Sequence, residues 1–173
     1  DMVDIELFKV ESLGKRLIEE IKSLNIPLII SSHDFKETPA DPVLLYRLNV
    51  MEHFGADIGK LAVTPNNERD VLRLMELTRR ANAFVSMPII TMSMGNLGKI
   101  SRLAGGTTGS VMTFGSLSSD STSAPGQLRF SGRLLDLCTN PVVQYREVNL
   151  YLPFSNSLEE FAFFKFPWRE IDL

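Results

Sequence analysis

In the run GADIGKLAV, Gly55 to Val63, one lysine interrupts a series of apolar residues. On a strand, Ile58, Lys60 and Ala62 share a face, so Lys60 stands among apolar neighbours. Desolvation disfavours an ammonium and frees an amine that can attack a carbonyl. The plainer alternative puts Lys60 at a strand mouth, its stem on apolar surface and its head in water. His33 ends a second apolar run, in IISSHDFKETP, Ile29 to Pro39. An imidazole there suits proton abstraction and return, although a lone loop histidine can equally be structural. In DIEL, Asp4 to Leu7, Asp4 and Glu6 fall on one strand face. Glu6 is placed either to orient His33 and stabilise its protonated form, or simply to meet water at a strand end. Lysine with histidine is the chemistry on offer: carbonyl capture coupled to proton transfer.

Two further segments add binding groups. TMSMGNLGKISRLAG carries Arg102, whose guanidinium fork fits a carboxylate. SAPGQ, Ser123 to Gln127, is a small-residue loop with a hydroxyl and an amide, suited to closing over a polar ligand. The glycines at 95, 98, 105, 106 and 109 lack Walker spacing and read as turn residues. No GxSxG is present, and no His, Cys, Asp and Glu set has metal-ligand spacing, so no metal site is read from the residues.

The elements that must position these residues follow from periodicity. Met2–Phe8 reads as a strand, and Ser12–Leu24 as an amphipathic helix with Leu13, Leu17, Ile21 and Leu24 on one face. Ile26–Ser32 is a strand, and Asp41–Phe54 a helix with Asp41 as N-cap. Ala56–Val63 is the third strand. Asn67–Phe84 is a helix capped by Asn67, with Glu68 and Asp70 in its first turn. Pro88–Met94 is a strand, LGKISRLAG a short helix, and Ser110–Gly115 the fifth strand. Strands recurring roughly every 20 to 30 residues with helices between them predict βαβ units and a parallel sheet. The period leaves a barrel and an open doubly wound sheet equally possible, and no GxGxxG follows the first strand.

Beyond about residue 128 the pattern stops. Nine of the fifteen aromatic residues lie in Arg129–Leu173, so these residues are expected to form a separate, aromatic-rich tail (129–173) after a domain at 1–128. Within the tail, Val142–Leu152 reads as one strand.

The composition, 44% apolar and 23% charged over 173 residues, is that of an ordinary globular domain. A net charge of -3 gives no basic footprint for nucleic acid or an anionic membrane. The single cysteine, Cys138, excludes an internal disulfide framework and fits a reducing, cytoplasmic setting. No signal pattern or membrane-length apolar run is present, and the chain begins at Asp1 on strand-like sequence, as a piece of a longer protein would.

Taken in order, DMVDIELF, SSHDFKETP, GADIGKLAVTPNNERDVLRL, PIITMSMGNLGKISRLAG with TFG, and SAPGQ resemble type I 3-dehydroquinate dehydratase, the Schiff-base enzyme of the shikimate pathway. The resemblance covers Asp1–Leu128. It implies a (β/α)8 TIM barrel, here incomplete, holding strands four to eight. It implies that Lys60 forms the imine, His33 is the general acid and base, and Glu6 positions His33. It further implies that Arg102 clamps the substrate carboxylate, that Ser123 and Gln127 belong to a closing loop, and that Phe35, Met92, Met94 and Phe114 line the pocket. The implied reaction is dehydration of 3-dehydroquinate to 3-dehydroshikimate without a cofactor, with a homodimer as the full-length assembly. The first three strands and their substrate contacts are absent, and the tail does not match the family. A non-catalytic fragment or degenerate paralogue is the alternative.

Overall fold

A computed structural model of the protein describes residues 2–116, together with the short strands at 128–129, 149–151 and 161–165. The chain runs β1 (Val3–Glu6), α1 (Leu7–Leu13), α2 (Lys15–Ser23), β2 (Leu28–Asp34), α3 (Asp41–His53), β3 (Ile58–Val63), α4 (Glu68–Ala81), β4 (Ile89–Ser93), α5 (Lys99–Leu103), α6 (Gly105–Thr108) and β5 (Met112–Ser116). The first four strands form one sheet in chain order, β1-β2-β3-β4, and every pair is parallel. The expected βαβ series is therefore present.

Register fixes which residues share a face. Glu6, Ser31, Lys60 and Ile90 form one row across the sheet, and His33, Ala62 and Met92 form the next above it. On the opposite face, Leu28, Ile30, Leu61, Val63 and Ile89 pack against Leu44 and Leu48 of α3 and Leu74 and Leu77 of α4. A second apolar cluster gathers Ile29, Ala62, Ile90, Met92, Met94, Val111 and Met112. The strands are apolar on both faces, which is why they read as continuous rather than alternating runs.

Helix α4 forms as its sequence dictates. Asn67 Oδ1 accepts from the Asp70 amide at 3.2 Å, and Val71, Leu74, Leu77, Thr78 and Ala81 make the buried stripe. Helix α3 departs from expectation at its start: Ala40 is the N-cap, and Asp41 is the first helical residue. Asp41 instead accepts hydrogen bonds from Arg73 and Arg80 of α4 and ties the two helices together. The first helical segment also differs. The chain turns helical directly after Glu6, and Gly14, at φ 72°, divides α1 from α2. The two short helices do not share one phase, so Leu13 and Leu24 are exposed while Val10 and Ile18 are buried.

The fifth strand does not simply extend the first sheet. One parallel bridge, Ile89 with Ser110, links it to β4, and the Val111 amide donates to the Ile89 carbonyl at 2.9 Å. The far edge of β4 is served by hydroxyls instead. The Thr91 amide donates to Ser110 Oγ at 3.0 Å, and the Ser93 amide to Ser101 Oγ at 2.9 Å. Ladder donors that a parallel neighbour would satisfy are thus already satisfied. Strand β5 belongs to a second sheet with β6 (Leu128–Arg129), β7 (Asn149–Tyr151) and β8 (Phe161–Lys165), in the order β6-β5-β8-β7. There β8 runs antiparallel to β5 along its whole length, with Phe163 opposite Phe114. Of the strand expected at Val142–Leu152, Asn149–Tyr151 is β7, and the remainder lies outside the described residues.

Among the described residues, no helix is long and apolar enough to cross a membrane.

Candidate active site

Of the residues singled out by type, Lys60, His33 and Glu6 converge on one face of the first sheet, and Asp4 joins them. Lys60 comes from β3, the run IGKLAV whose last five residues are all buried, and only 7% of Lys60 is exposed. Its Nζ donates to Asp4 Oδ2 at 2.7 Å and lies 4.6 Å from the centre of the Phe114 ring. The nitrogen is therefore held between a carboxylate and an aromatic face. Only 9% of the Lys60 side chain is exposed, which favours the buried reading over a head group standing in water.

His33 sits near the carboxyl end of β2, and its Nδ1 is paired with Glu6 Oε1 of β1. With Nδ1 donating to Glu6, Nε2 is the ring nitrogen left to meet a ligand. The imidazole is stacked on Phe35 at 5.8 Å between ring centres, with 10° between the planes. His33 and Lys60 are diagonal neighbours on adjacent paired strands, a spacing of roughly 7–8 Å between Cα atoms. A ligand held on Nζ falls within reach of the imidazole.

The two carboxylates of β1 have separate partners. Glu6 shares a register row with Lys60 but is engaged by His33, and Lys60 reaches instead to Asp4. Sequence reasoning placed Asp4 on this face without giving it a task. Only the parity was legible there: Asp4 and Glu6 are two residues apart on one strand, while the groups they pair with come from β3 and β2.

The strand end that carries His33 is fixed by its loop. Asp34 Oδ1 accepts from the amides of Lys36 at 3.2 Å and Glu37 at 3.1 Å, closing an Asx turn, and Arg47 donates to Oδ2 at 3.4 Å. Burial opposes ionisation of Asp34, but these amides and Arg47 outweigh it and hold the carboxyl below its ordinary value. Thr64, after β3, donates its hydroxyl to the Asp34 carbonyl at 3.0 Å, and Thr38 donates to the Thr64 carbonyl at 3.0 Å. Arg73 reaches from α4 to the carbonyls of Thr38 and Pro39 at 2.8 and 2.7 Å. The loops after β2 and β3 are thereby locked to one another.

Arg102 lies on α5 and is 2% exposed. Its Nη1 donates to Met92 Sδ at 3.3 Å, while Nε and Nη2 are buried without a hydrogen-bond partner among the described residues. Burial pushes the guanidinium below the usual arginine range. A buried cation with two free donors is costly until an anion meets them, and a planar carboxylate fits that fork. Met92 and Met94 are buried beside it, Phe114 is half-buried, and Phe35 is 70% exposed. Ser123 and Gln127 lie outside the described residues. Among the described residues no three His, Cys, Asp or Glu side chains gather as a metal centre requires.

The family model for type I 3-dehydroquinase matches residues 1–132. A 3-dehydroquinate dehydratase of Clostridium kluyveri is 49% identical over 130 residues, covering 74% of this chain and 50% of that protein. One from Listeria monocytogenes is 47% identical over 128 residues, with the same coverage. The chain spans about half the length of the curated relatives it matches. Among solved structures, the 3-dehydroquinate dehydratase of Geobacillus kaustophilus superposes with a TM-score of 0.74 at 37% identity, over 80% of this chain and 52% of that one. A type I 3-dehydroquinate dehydratase from Clostridium difficile, solved with covalently modified comenic acid, gives 0.69 at 41% identity, over 80% and 53%.

Proposed function

The chain belongs to the type I 3-dehydroquinase family, with part of its (β/α)8 barrel, and from that membership we propose that residues 1–128 carry the lysine-imine chemistry that dehydrates 3-dehydroquinate to 3-dehydroshikimate. The observation that supports this most directly is the placement of a buried Lys60 beside the His33–Glu6 pair on one sheet face. Lys60 attacks the substrate ketone and, with loss of water, gives a protonated imine that acts as an electron sink. His33 removes the proton on the carbon next to the imine, giving an enamine. The enamine expels the β-hydroxyl, which leaves as water with the proton returned by His33, and hydrolysis frees the product and the amine. Glu6 holds His33 in the tautomer that presents Nε2, and Arg102 binds the substrate carboxylate. Ser123 and Gln127 close over the substrate.

Treatment with 3-dehydroquinate and borohydride tests the assignment. It adds the reduced ligand mass to the peptide containing Lys60 and to no other. Label on another lysine overturns it.

A second reading is a fragment that keeps the motifs without turnover. It draws support from the half-length coverage and from β1, whose outer edge pairs with no strand among the described residues. The 173-residue chain assayed alone, then with the missing amino-terminal half supplied, separates the two. Activity only in the mixture favours the fragment. As a complete assembly the enzyme is a cytoplasmic homodimer that binds neither nucleic acid nor membrane.

A further inference from the structure

Imine formation raises a proton problem at Lys60, and Asp4 answers it. Lys60 Nζ is buried, and its one hydrogen-bond acceptor among the described residues is Asp4 Oδ2, at 2.7 Å. Asp4 itself is less enclosed, with 34% of its side chain exposed against 9% for Lys60. The other carboxylate on β1, Glu6, is engaged by His33 and is not free for this task. We propose that Asp4 is the counterion of the reacting nitrogen, the group that takes the proton Lys60 must shed before attack and that then faces the imine cation.

The steps balance, and they rest on the imine chemistry proposed above. The ammonium passes one proton to the Asp4 carboxylate, and the neutral amine attacks the carbonyl carbon. The carbinolamine forms as the proton left on nitrogen moves to the alkoxide. Protonated Asp4 then gives its proton to the carbinolamine hydroxyl, which leaves as water as the C=N bond forms. Ammonium plus ketone becomes protonated imine plus water. Asp4 begins and ends as a carboxylate, and the charge on Nζ is positive at both ends. No outside acid or base is needed. A carboxylate at this distance from the nitrogen faces a cation at each end of the sequence.

The full 173-residue chain tests this with a probe that does not depend on substrate binding. Competitive acetylation with acetic anhydride at a fixed pH of about 8, mapped by mass spectrometry, reads the neutral amine at each lysine relative to exposed Lys99. Asp4→Asn raises acetylation of Lys60 on the order of tenfold and leaves Lys99 unchanged. Asp4→Glu keeps a carboxylate in reach and holds Lys60 near its original rate. Equal rates in the original chain and Asp4→Asn, or equal increases in Asp4→Asn and Asp4→Glu, overturn the proposal, the second because only packing would then be at work. Borohydride trapping with 3-dehydroquinate is the companion measurement. With the amino-terminal half supplied, a raised acetylation without an adduct in any variant sinks the dehydratase reading and leaves the Asp4 pairing standing. An adduct of equal yield in the original chain and Asp4→Asn overturns the part assigned to Asp4 in the imine steps.

Discussion

At the scale of residues, the site is a set of paired charges with divided tasks. Lys60 answers to Asp4 and His33 to Glu6, and both carboxylates come from the four residues of β1. The division predicts separable variants. His33→Ala leaves Lys60 intact, so the covalent adduct still forms and accumulates, while turnover falls by at least about 10²-fold. Quench-flow mass spectrometry of the whole assembly reads both quantities, and undiminished turnover refutes the role of His33. Glu6→Gln keeps a hydrogen-bond acceptor but removes the charge, so it costs less than His33→Ala and alters the pH profile of turnover. A flat loss at every pH would show that Glu6 serves packing alone.

At the scale of elements, the loops are held as firmly as the strands. Asp34 ties down the segment that carries His33, and its carboxyl lies below its ordinary value of 3.8. Its folded value is the lower one, so ionised Asp34 stabilises the fold above that pH. The contribution is lost as pH falls through the folded value. Asp70 adds in the same direction, through the Asn66 amide and Arg73. Urea midpoints measured from pH 5 down to about 3 therefore decline, and Asp34→Asn flattens part of that decline. An identical slope in the variant removes Asp34 from the account. Helix α5 presents a different constraint. Gly98 lies against β4 so closely that a Cβ there would overlap the Ser93 carbonyl, which is backbone and has little room to yield. Gly98→Ala should destabilise by about 1–3 kcal/mol and displace α5. Arg102 moves with that helix, so under the proposed role of Arg102 binding of 3-dehydroquinate weakens alongside the melting temperature. Lys99→Ala, on the exposed side of the same helix, is the control that leaves both unchanged.

At the scale of the whole molecule, four parallel strands and their helices make about half of what the relatives contain. One side of β1 pairs with no strand among the described residues, and such an edge recruits other strands. One side of β5 is taken by β8 from the tail, in the antiparallel sense. Positioning is the larger loss, since a misplacement of about 1 Å at a reacting centre costs 10²-fold. The isolated chain is therefore expected to turn over poorly and to self-associate on size-exclusion chromatography. Adding the missing amino-terminal strands, fused or as a separate chain, should raise dehydroshikimate formation, followed by its enone absorbance, and sharpen the elution peak. A monodisperse, fully active 173-residue monomer would contradict both expectations.

The βαβ order, the parallel sheet and the positions of Lys60, His33, Glu6 and Arg102 were legible in the sequence, because strand parity and helical period are local properties that survive folding. The Asn67 cap was legible for the same reason: its acceptor and its donor lie three residues apart. Asp41 was misread because the competing arginines, Arg73 and Arg80, lie a helix away and only packing brings them near. The partner of Lys60 was hidden likewise. Asp4 lies 56 residues away in sequence and two strands across, and no spacing rule spans that gap. The fate of the fifth strand was a matter of tertiary structure too. Two hydroxyls, Ser101 and Ser110, take the edge donors of β4, and Phe161–Lys165 pairs with the strand from about fifty residues downstream, where loop closure rather than local propensity governs the choice of partner.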